Sequence, residues 1–404
     1  MIEMKVLMLS WEFPPRIIGG IAPHVCDLSR ALTRLGVEVI VVTCDFPGAP
    51  EREILDGVEV HRVNSYGFPT PDFASWIYLM NMNLKCYAAE LMNSKGGIDL
   101  IHAHDWLVAE AAVGLKHLFR VPLIATIHST EYGRRNGVHT DYQRMIHQTE
   151  VWMVREAWHA ICCSDYMVSH VSFALGLPRE NISVIPNGVD SEKFGVPFDR
   201  ESFRKTYASS EEKIVLFVGR MVHEKGVGVL LEAAITILRS LDAKFVFVGE
   251  GYLKDTLAKK AFDSGIGARV YFTGFLDDPT VKLLYRSADV CVVPSLYEPF
   301  GIVAIEAMAA GTPVIVSDVG GLSEIVQHDK TGLKVSPDDA NSLSWGILRI
   351  LNDRQYANTL ARQAGERAMQ VYNWNAIAHR TADVYDKVLA EHRSGSWNRT
   401  SFSA

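Results

Sequence analysis

Residues 295–314 read SLYEPFGIVAIEAMAAGTPV, with Glu298 and Glu306 separated by seven residues across a Pro-Phe-Gly turn. Paired carboxylates are the acid/base apparatus of glycoside hydrolysis, and that is the first chemistry the stretch suggests. The second is binding. An apolar run, VCVVPS, ends before the turn, and the helix that follows runs to Ala310 with Gly311 as its stop. The N–H groups of Phe300, Gly301 and Ile302 open that helix, where an anion or a hydroxyl oxygen is welcome. Glu298 stands just before it. Glu306 lies about a turn and a half inside, among Val303, Ala304, Ile305, Ala307 and Met308. A carboxylate in such company needs partners. Ribose hydroxyls suit it, because a carboxylate accepts two hydrogen bonds at once. Two idle surface glutamates fit this apolar setting poorly.

Four other stretches carry candidate chemistry. GRMVHEKG (219–226) puts Arg220 and Lys225 on a loop between a strand and a helix. Cations oppose a helix N-terminus, but an anion such as a diphosphate would draw both of them and the free N–H groups together. The bland alternative is a solvated basic loop. RIIGGIAPHV (16–25) places Gly19 and Gly20 between the first strand and the first helix, where the backbone can approach a ligand closely; a plain tight turn is the alternative. It is neither GxGxxG nor a P-loop. IHSTEYGRRNG (127–137) sets His128 at a strand's carboxyl end, with Glu131, Arg134 and Arg135 on the polar continuation, although a structural histidine is also possible there. HAHDW (102–106) points two imidazoles one way along a strand. A metal site needs further ligands on later strand ends; the sequence offers no convincing set, so hydrogen-bonded strand-end residues lining a cleft are expected and no metal.

The elements that must position these residues follow from the alternation of short apolar runs with helical stretches. KVLMLS (5–10), EVIVVTC (38–44), DLIHAH (99–104), PLIATIH (122–128) and HAICCS (159–164) are apolar on both faces, as buried parallel strands are. VIPNGVDSEKF (184–194) breaks the rhythm and reads as a hinge. The pattern then restarts with KIVLFVG (213–219), a helix near 226–239, KFVFVG (244–249), RVYFTG (269–274), DVCVVPS (289–295) and PVIVSD (313–318). The expected architecture is α/β, two doubly wound Rossmann-like domains facing a cleft. Residues 1–188 are expected to form one domain and 189–373 the other; a helix at about 374–392 is expected to pack back on the first, and 393–404 to be a disordered tail. The 404 residues suit two domains. With 48% hydrophobic and 22% charged residues the composition is ordinary and globular. A formal charge of −7 disfavours nucleic acid as a partner. Six cysteines without metal-site spacing, a strand at the very start and no long apolar run lead to the expectation of a cytoplasmic protein without signal peptide or membrane span. Asn398-Arg399-Thr400 is then a chance glycosylation match.

Taken in order, these motifs resemble a retaining GT-B glycosyltransferase of family 4 type, in the group that includes sucrose and sucrose-phosphate synthases and short glycogen-synthase-like enzymes. Glu298 to Glu306 matches that group's E-x7-E motif, GRMVHEKG its Arg/Lys segment, and SWEFPPRIIGGIAPHV, HAHDW, IPNGVD and GTPVIVSDVGG match as well. The resemblance covers nearly the whole chain. It implies that Arg220 and Lys225 neutralise a leaving diphosphate and that Gly20, with Gly19 beside it, approaches the phosphates. It implies that Glu298 and the Phe300–Ile302 amides hold hydroxyls of the donor sugar, that Glu306 binds the ribose and that Leu276 sits near the base. His128 lies by the sugar at the reaction centre, and Glu131 and Arg134 fall on the acceptor side. Retention then proceeds from the front face, the departing phosphate taking the acceptor proton, with no metal or other cofactor. One departure matters. Enzymes of the other main branch carry Lys-x-Gly-Gly near the N-terminus, whereas here RIIGG puts Ile17 at that lysine. The lysine is linked to ADP-glucose use and glucan elongation, so UDP-glucose is the favoured donor and ADP-glucose the second. The expected acceptor is an α-glucan. Alternatives are a small-molecule or lipid acceptor, a UDP-sugar 2-epimerase and a silent sugar-binding protein. The apolar, aromatic stretch 68–92 keeps the lipid reading open, although a helix buried in the first domain or lining the acceptor groove is preferred. Acceptor contacts are expected from loops 66–76 and 129–140.

Overall fold

The computed structural model describes residues 4–65 and 69–395. It divides into two compact units, Met1–Gly188 with Trp374–Ala404, and Val189–Asn373. Unit 1 carries eight strands: β1 (Lys5–Leu9), β2 (Glu38–Cys44), β3 (Arg52–Leu55), β4 (Val58–Val63), β5 (Leu100–His104), β6 (Leu123–Ile127), β7 (His159–Cys162) and β8 (Ile182–Val184). Their order is β3-β4-β2-β1-β5-β6-β7-β8. Every neighbouring pair is parallel except β3 with β4. That exception is a hairpin closed by Asp56 and Gly57, both in the left-handed region at φ 51° and 86°, the twist a two-residue hairpin turn requires.

Two helices cover one face of this sheet. Ile21–Arg34 and Trp374–Ser394 share a core with β1 and β2, in which Val25, Leu28 and Leu32 meet Ile377, Tyr385 and Leu389 over Met8 and Val41. Burying such side chains contributes about 1.5–3 kcal/mol each, which fixes the last helix to the first unit although residues 189–373 intervene.

Unit 2 holds β9 (Lys213–Val218), β10 (Ala243–Val248), β11 (Val270–Gly274), β12 (Val290–Val293), β13 (Val314–Ser317) and β14 (Leu333–Val335), in the order β11-β10-β9-β12-β13-β14. All neighbours are parallel. In each unit the winding reverses once, between β1 and β5 and between β9 and β12. Ligands of open α/β sheets bind at such reversals, outside the carboxyl ends of the strands. One close approach ties the second reversal together. Gly226 has φ +64°, and a Cβ there would lie 1.8 Å from the carbonyl oxygen of Pro294. Only glycine lets the loop after β9 rest on the loop after β12.

The expected strands recur within one or two residues of their sequence boundaries. The strands β3, β4, β8 and β14 were not foreseen. The expected helix near 226–239 is Val227–Ile237, and the one expected at about 374–392 is Trp374–Ser394. Within 184–194 the chain leaves unit 1 after Gly188. Val189 then donates its N–H to Tyr372 O at 2.7 Å. Among the described residues no helix is long and apolar enough to cross a membrane. Asn398 to Thr400 and most of the expected disordered tail lie outside the described residues, as do positions 66–68 of the expected acceptor loop.

Candidate functional site

In unit 2 the loop after β9 carries Arg220, Glu224 and Lys225, and the loop after β12 carries Ser295 and Glu298. Lys225 Nζ donates to Glu298 Oε2 at 2.7 Å. Ser295 Oγ donates to the same oxygen at 3.1 Å. Both bonds fall on Oε2, so Oε1 is the oxygen left to accept from a ligand. Arg220 pairs with Glu224 at 3.3 Å and is largely exposed. Both cations therefore have carboxylate partners within the unit, which the sequence reading did not foresee. An ammonium has three donors and a guanidinium five, so each can hold its carboxylate and still donate to phosphate oxygens.

The helix Ile302–Ala309 starts from Gly301, at φ 118°. Its first backbone hydrogen bond runs from Ala304 to Gly301 O, so the N–H groups of Phe300, Gly301 and Ile302 precede the helical ladder. Glu306, half-buried on this helix, accepts from Tyr285 Oη at 2.9 Å. Part of the partnership the sequence assigned to a ligand is thus supplied from within. Burial, and then the adjacent Glu306, push the Tyr285 phenol well above its usual range, so it stays a neutral donor. Leu276 is half-buried between β11 and the helix Asp278–Ser287.

In unit 1 the loop after β1 is organised by Glu12. Its Oε2 accepts from the N–H groups of Ile18 at 2.5 Å and Gly19 at 3.0 Å. Burial raises its carboxyl above the usual range, against these bonds and nearby Arg16. Neither Gly19 nor Gly20 has a positive φ, and a Cβ on Gly19 would meet only Glu12 Oε1, at 3.8 Å. Backbone conformation does not demand these glycines.

At the ends of β5 and β6 lie His104, Asp105 and His128. The His128 N–H donates to Asp105 Oδ1 at 2.7 Å, and burial lifts the Asp105 carboxyl to about 6 against that bond. His104 Nδ1 lies 3.1 Å from His128 Nε2. His24, from the helix Ile21–Arg34, packs edge-on to His128 with ring centroids 4.7 Å apart. Burial brings His128 down to about 4, so its ring is neutral at neutral pH. His102 is fully buried and bonded on both nitrogens, to Tyr385 Oη and Thr126 Oγ1, each at 2.7 Å. It is structural as expected, but it lines no cleft. The expectation that HAHDW finds no further ligands needs correcting. His24, His104 and His128 each offer one nitrogen, all within 4.8 Å of one another. The sequence reading missed His24 because it sits on a helix rather than a strand end.

Arg134 is committed inward. It donates to Ser129 Oγ and pairs with Glu131 at 3.0 Å and Glu150 at 3.7 Å. Glu150, which also accepts from the Glu131 N–H at 2.8 Å, is raised by burial to about 8. Arg135 adds a longer pair to Glu131 at 3.7 Å from a largely exposed position, and Arg134 is the cation shared by Glu131 and Glu150.

Two family models match the chain: Glycosyltransferase Family 4 over residues 18–193 and Glycosyl transferases group 1 over residues 199–368. The chain is 39% identical over 392 residues to an uncharacterized glycosyltransferase of Methanocaldococcus jannaschii, covering 95% of this chain and 98% of that one. It is 36% identical over 400 residues to a glycogen synthase of Mycobacterium tuberculosis, covering 95% and 94%. Among solved structures, a sucrose-phosphate synthase from Thermosynechococcus elongatus superposes with a TM-score of 0.83 at 29% identity, over 96% of this chain and 100% of that one.

Proposed function

The chain belongs to the GT-B glycosyltransferases of the glycogen- and sucrose-synthase-like group, and we propose that it moves glucose, with retention, from UDP-glucose or secondarily ADP-glucose to an α-glucan. The observation that carries this reading is the Lys225–Glu298 contact at 2.7 Å. It sets a cation for a leaving diphosphate beside a carboxylate with an oxygen to spare for a sugar hydroxyl. The similarity to a glycogen synthase supports glucan as acceptor, and Ile17, in place of the other branch's lysine, supports UDP over ADP.

In this mechanism Arg220 and Lys225 stabilise charge growing on the diphosphate. The N–H groups of Phe300, Gly301 and Ile302 with Glu298 orient the sugar, and Glu306 takes the ribose. Gly19 and Gly20 give the phosphates room, and Leu276 flanks the base. The bond from the anomeric carbon to the phosphate oxygen breaks as the bond to the acceptor oxygen forms on the same face, and the acceptor proton passes to that phosphate oxygen. His128, neutral because burial holds it at about 4, bonds a sugar hydroxyl rather than acting as an acid. Asp105 holds the His128 backbone, and the Arg134–Glu131–Glu150 network shapes the acceptor side. The cations replace a metal in this scheme.

The test is nucleotide release from UDP-glucose and from ADP-glucose, each with and without glycogen or maltooligosaccharides, read together with chain length. Release that rises with glucan and lengthens it supports the reading and names the donor. A second reading, transfer to a lipid acceptor, draws on the exposed Phe73, Tyr78 and Met82 of the helix Phe73–Ser94. Glucan-independent release together with flotation on liposomes favours it. Release of UDP without any acceptor dependence points to epimerase chemistry.

A further inference from the structure

We propose that His24, His104 and His128 form a binding site for one divalent transition ion of the zinc class. Two of the three already stand close together, joined by a hydrogen bond that an ion would replace. His104 Nδ1 and His128 Nε2 stand 3.1 Å apart, close to the roughly 3.4 Å that separates two imidazole nitrogens on one tetrahedral ion with bonds of about 2.1 Å. The His24 ring offers a nitrogen within 4.8 Å of one on each of the other two rings. Bringing it to bonding distance needs a ring displacement of about 1–1.5 Å to meet that geometry.

The hydrogen bonding of the cluster is incomplete. Between His104 Nδ1 and His128 Nε2 there is room for one proton, so one lone pair there always accepts. His104 Nε2 and both ring nitrogens of His24 are buried without a hydrogen-bond partner. Asn187, whose Oδ1 also has no well-formed bond, is among the described residues the one side chain near enough to His24 to interact with its ring by a weak hydrogen bond. Buried polar atoms in this state are costly, and an ion bonded to one His24 nitrogen relieves part of that cost, although His104 Nε2 and the other His24 nitrogen gain nothing from it. His102 does not compete, since Tyr385 and Thr126 take both of its nitrogens. Burial, joined at His24 and His104 by repulsion from neighbouring rings, also keeps the three rings neutral, which is the form that binds metal.

An all-imidazole donor set selects zinc, copper, nickel or ferrous ions over magnesium and calcium. Three protein ligands leave a fourth position for water or an anion. One consequence rests on the reading under Proposed function: an ion held by His128 draws that ring away from the donor sugar, so the ion inhibits transfer.

The test uses the full-length chain, stripped with chelator and dialysed. Cobalt(II) is titrated while its visible absorption is followed, and zinc binding is measured by calorimetry. One equivalent is expected, with an intense tetrahedral-type band. His24→Gln and His104→Gln should weaken binding by more than about 100-fold. His159→Gln, which alters a buried histidine bonded to Ser183 at 2.8 Å outside the cluster, should leave it unchanged. No saturable binding, or equal binding in both cluster variants, overturns the site. If a variant fails to fold, the unaltered chain decides: a weak octahedral spectrum alone overturns it. In a parallel arm, nucleotide release from UDP-glucose with glycogen is followed with and without stoichiometric zinc. Binding without inhibition overturns the consequence and keeps the site. An absence of transfer in both chelated and zinc-loaded protein overturns the functional reading and leaves the binding result standing.

Discussion

Replacing Lys225 by methionine keeps most of the side chain's apolar stem and removes its charge. Lys225 and Glu298 are mostly covered, with side chains 24% and 12% exposed. At their 2.7 Å separation the attraction is about 6 kcal/mol for an effective dielectric constant of about 20. Desolvation of the two ions offsets most of it, so removing one partner should cost about 1–3 kcal/mol of stability. Ser295 remains to satisfy the stranded carboxylate. Combining Lys225→Met with Glu298→Gln removes that charge too, and the double variant should be more stable than the sum of the single losses by about 1 kcal/mol or more. Activity should behave in the opposite way. Loss of a cation aimed at developing phosphate charge costs about 2.7–4 kcal/mol of transition-state stabilisation, or roughly 100- to 1,000-fold in kcat. Under the proposed mechanism the second substitution also removes a sugar ligand and restores nothing. The assay pairs urea unfolding of all four proteins with steady-state kinetics on the donor. A Lys225→Met enzyme within tenfold of wild-type kcat, or a double variant that recovers turnover along with stability, would refute the assignment of Lys225 to the leaving group.

Three further outcomes follow from other contacts. Gly226→Ala puts a Cβ 1.8 Å from Pro294 O at φ +64°, so it should destabilise by more than about 2 kcal/mol and lower kcat by parting the two loops. Unchanged urea midpoints would show that the loops separate freely. The native state holds His102 neutral down to about 3, whereas the unfolded chain takes the proton near 6.5. This residue's contribution is therefore present above about pH 6.5 and is lost as pH falls toward 3. His102→Gln should reduce the slope of unfolding free energy against pH by about 1.4 kcal/mol per unit between about pH 5.5 and 4; parallel curves would contradict the assignment. Glu150, raised to about 8, works with the opposite sign. The native state keeps a proton that the unfolded chain loses near 4.5, so its contribution is complete below that value and disappears as pH rises to about 8. Glu150→Gln should flatten the decline in stability from pH 5 to 8, and a decline as steep as wild type would place the proton elsewhere.

The strands at the centre of both sheets were legible because they are covered on both faces, and a run such as VCVVPS carries that burial in its composition. The hairpin of β3 and β4 was not. Its residues alternate in exposure, and Glu59, His61 and Arg62 dilute the apolar signal of the second strand. Asp56-Gly57 was the available clue. The strands β8 and β14 have three residues each, too few for a period to register. At the site, residue types were legible and pairings were not. Lys225 and Glu298 are 73 positions apart and meet because β12 lies beside β9 in the sheet. His24, His104 and His128 meet because β1, β5 and β6 are neighbours. Strand order is not written in local sequence, and neither is the use of Glu12, whose partners are backbone amides.

The winding reversals explain why each unit gathers its polar residues where it does, and the two gatherings differ in kind. After β9 and β12 the groups are ionic: Arg220, Lys225, Glu224 and Glu298, paired and reachable by solvent. Around β1, β5 and β6 the groups are three imidazoles kept uncharged by burial, with Glu12 and Asp105, whose carboxyls burial raises. For a transfer in which charge accumulates on a departing diphosphate, this division has a physical consequence. Cations are useful where that charge grows, and a second cation beside the anomeric carbon would oppose the positive charge developing on the sugar. In the proposed mechanism, which sets His128 by the donor sugar, a neutral ring avoids that opposition while still offering a hydrogen bond. Substituting His128 by lysine, which keeps a donor but adds a fixed charge, should therefore lower kcat more than His128→Gln does, and equal losses in the two variants would show that neutrality at this position has no catalytic value.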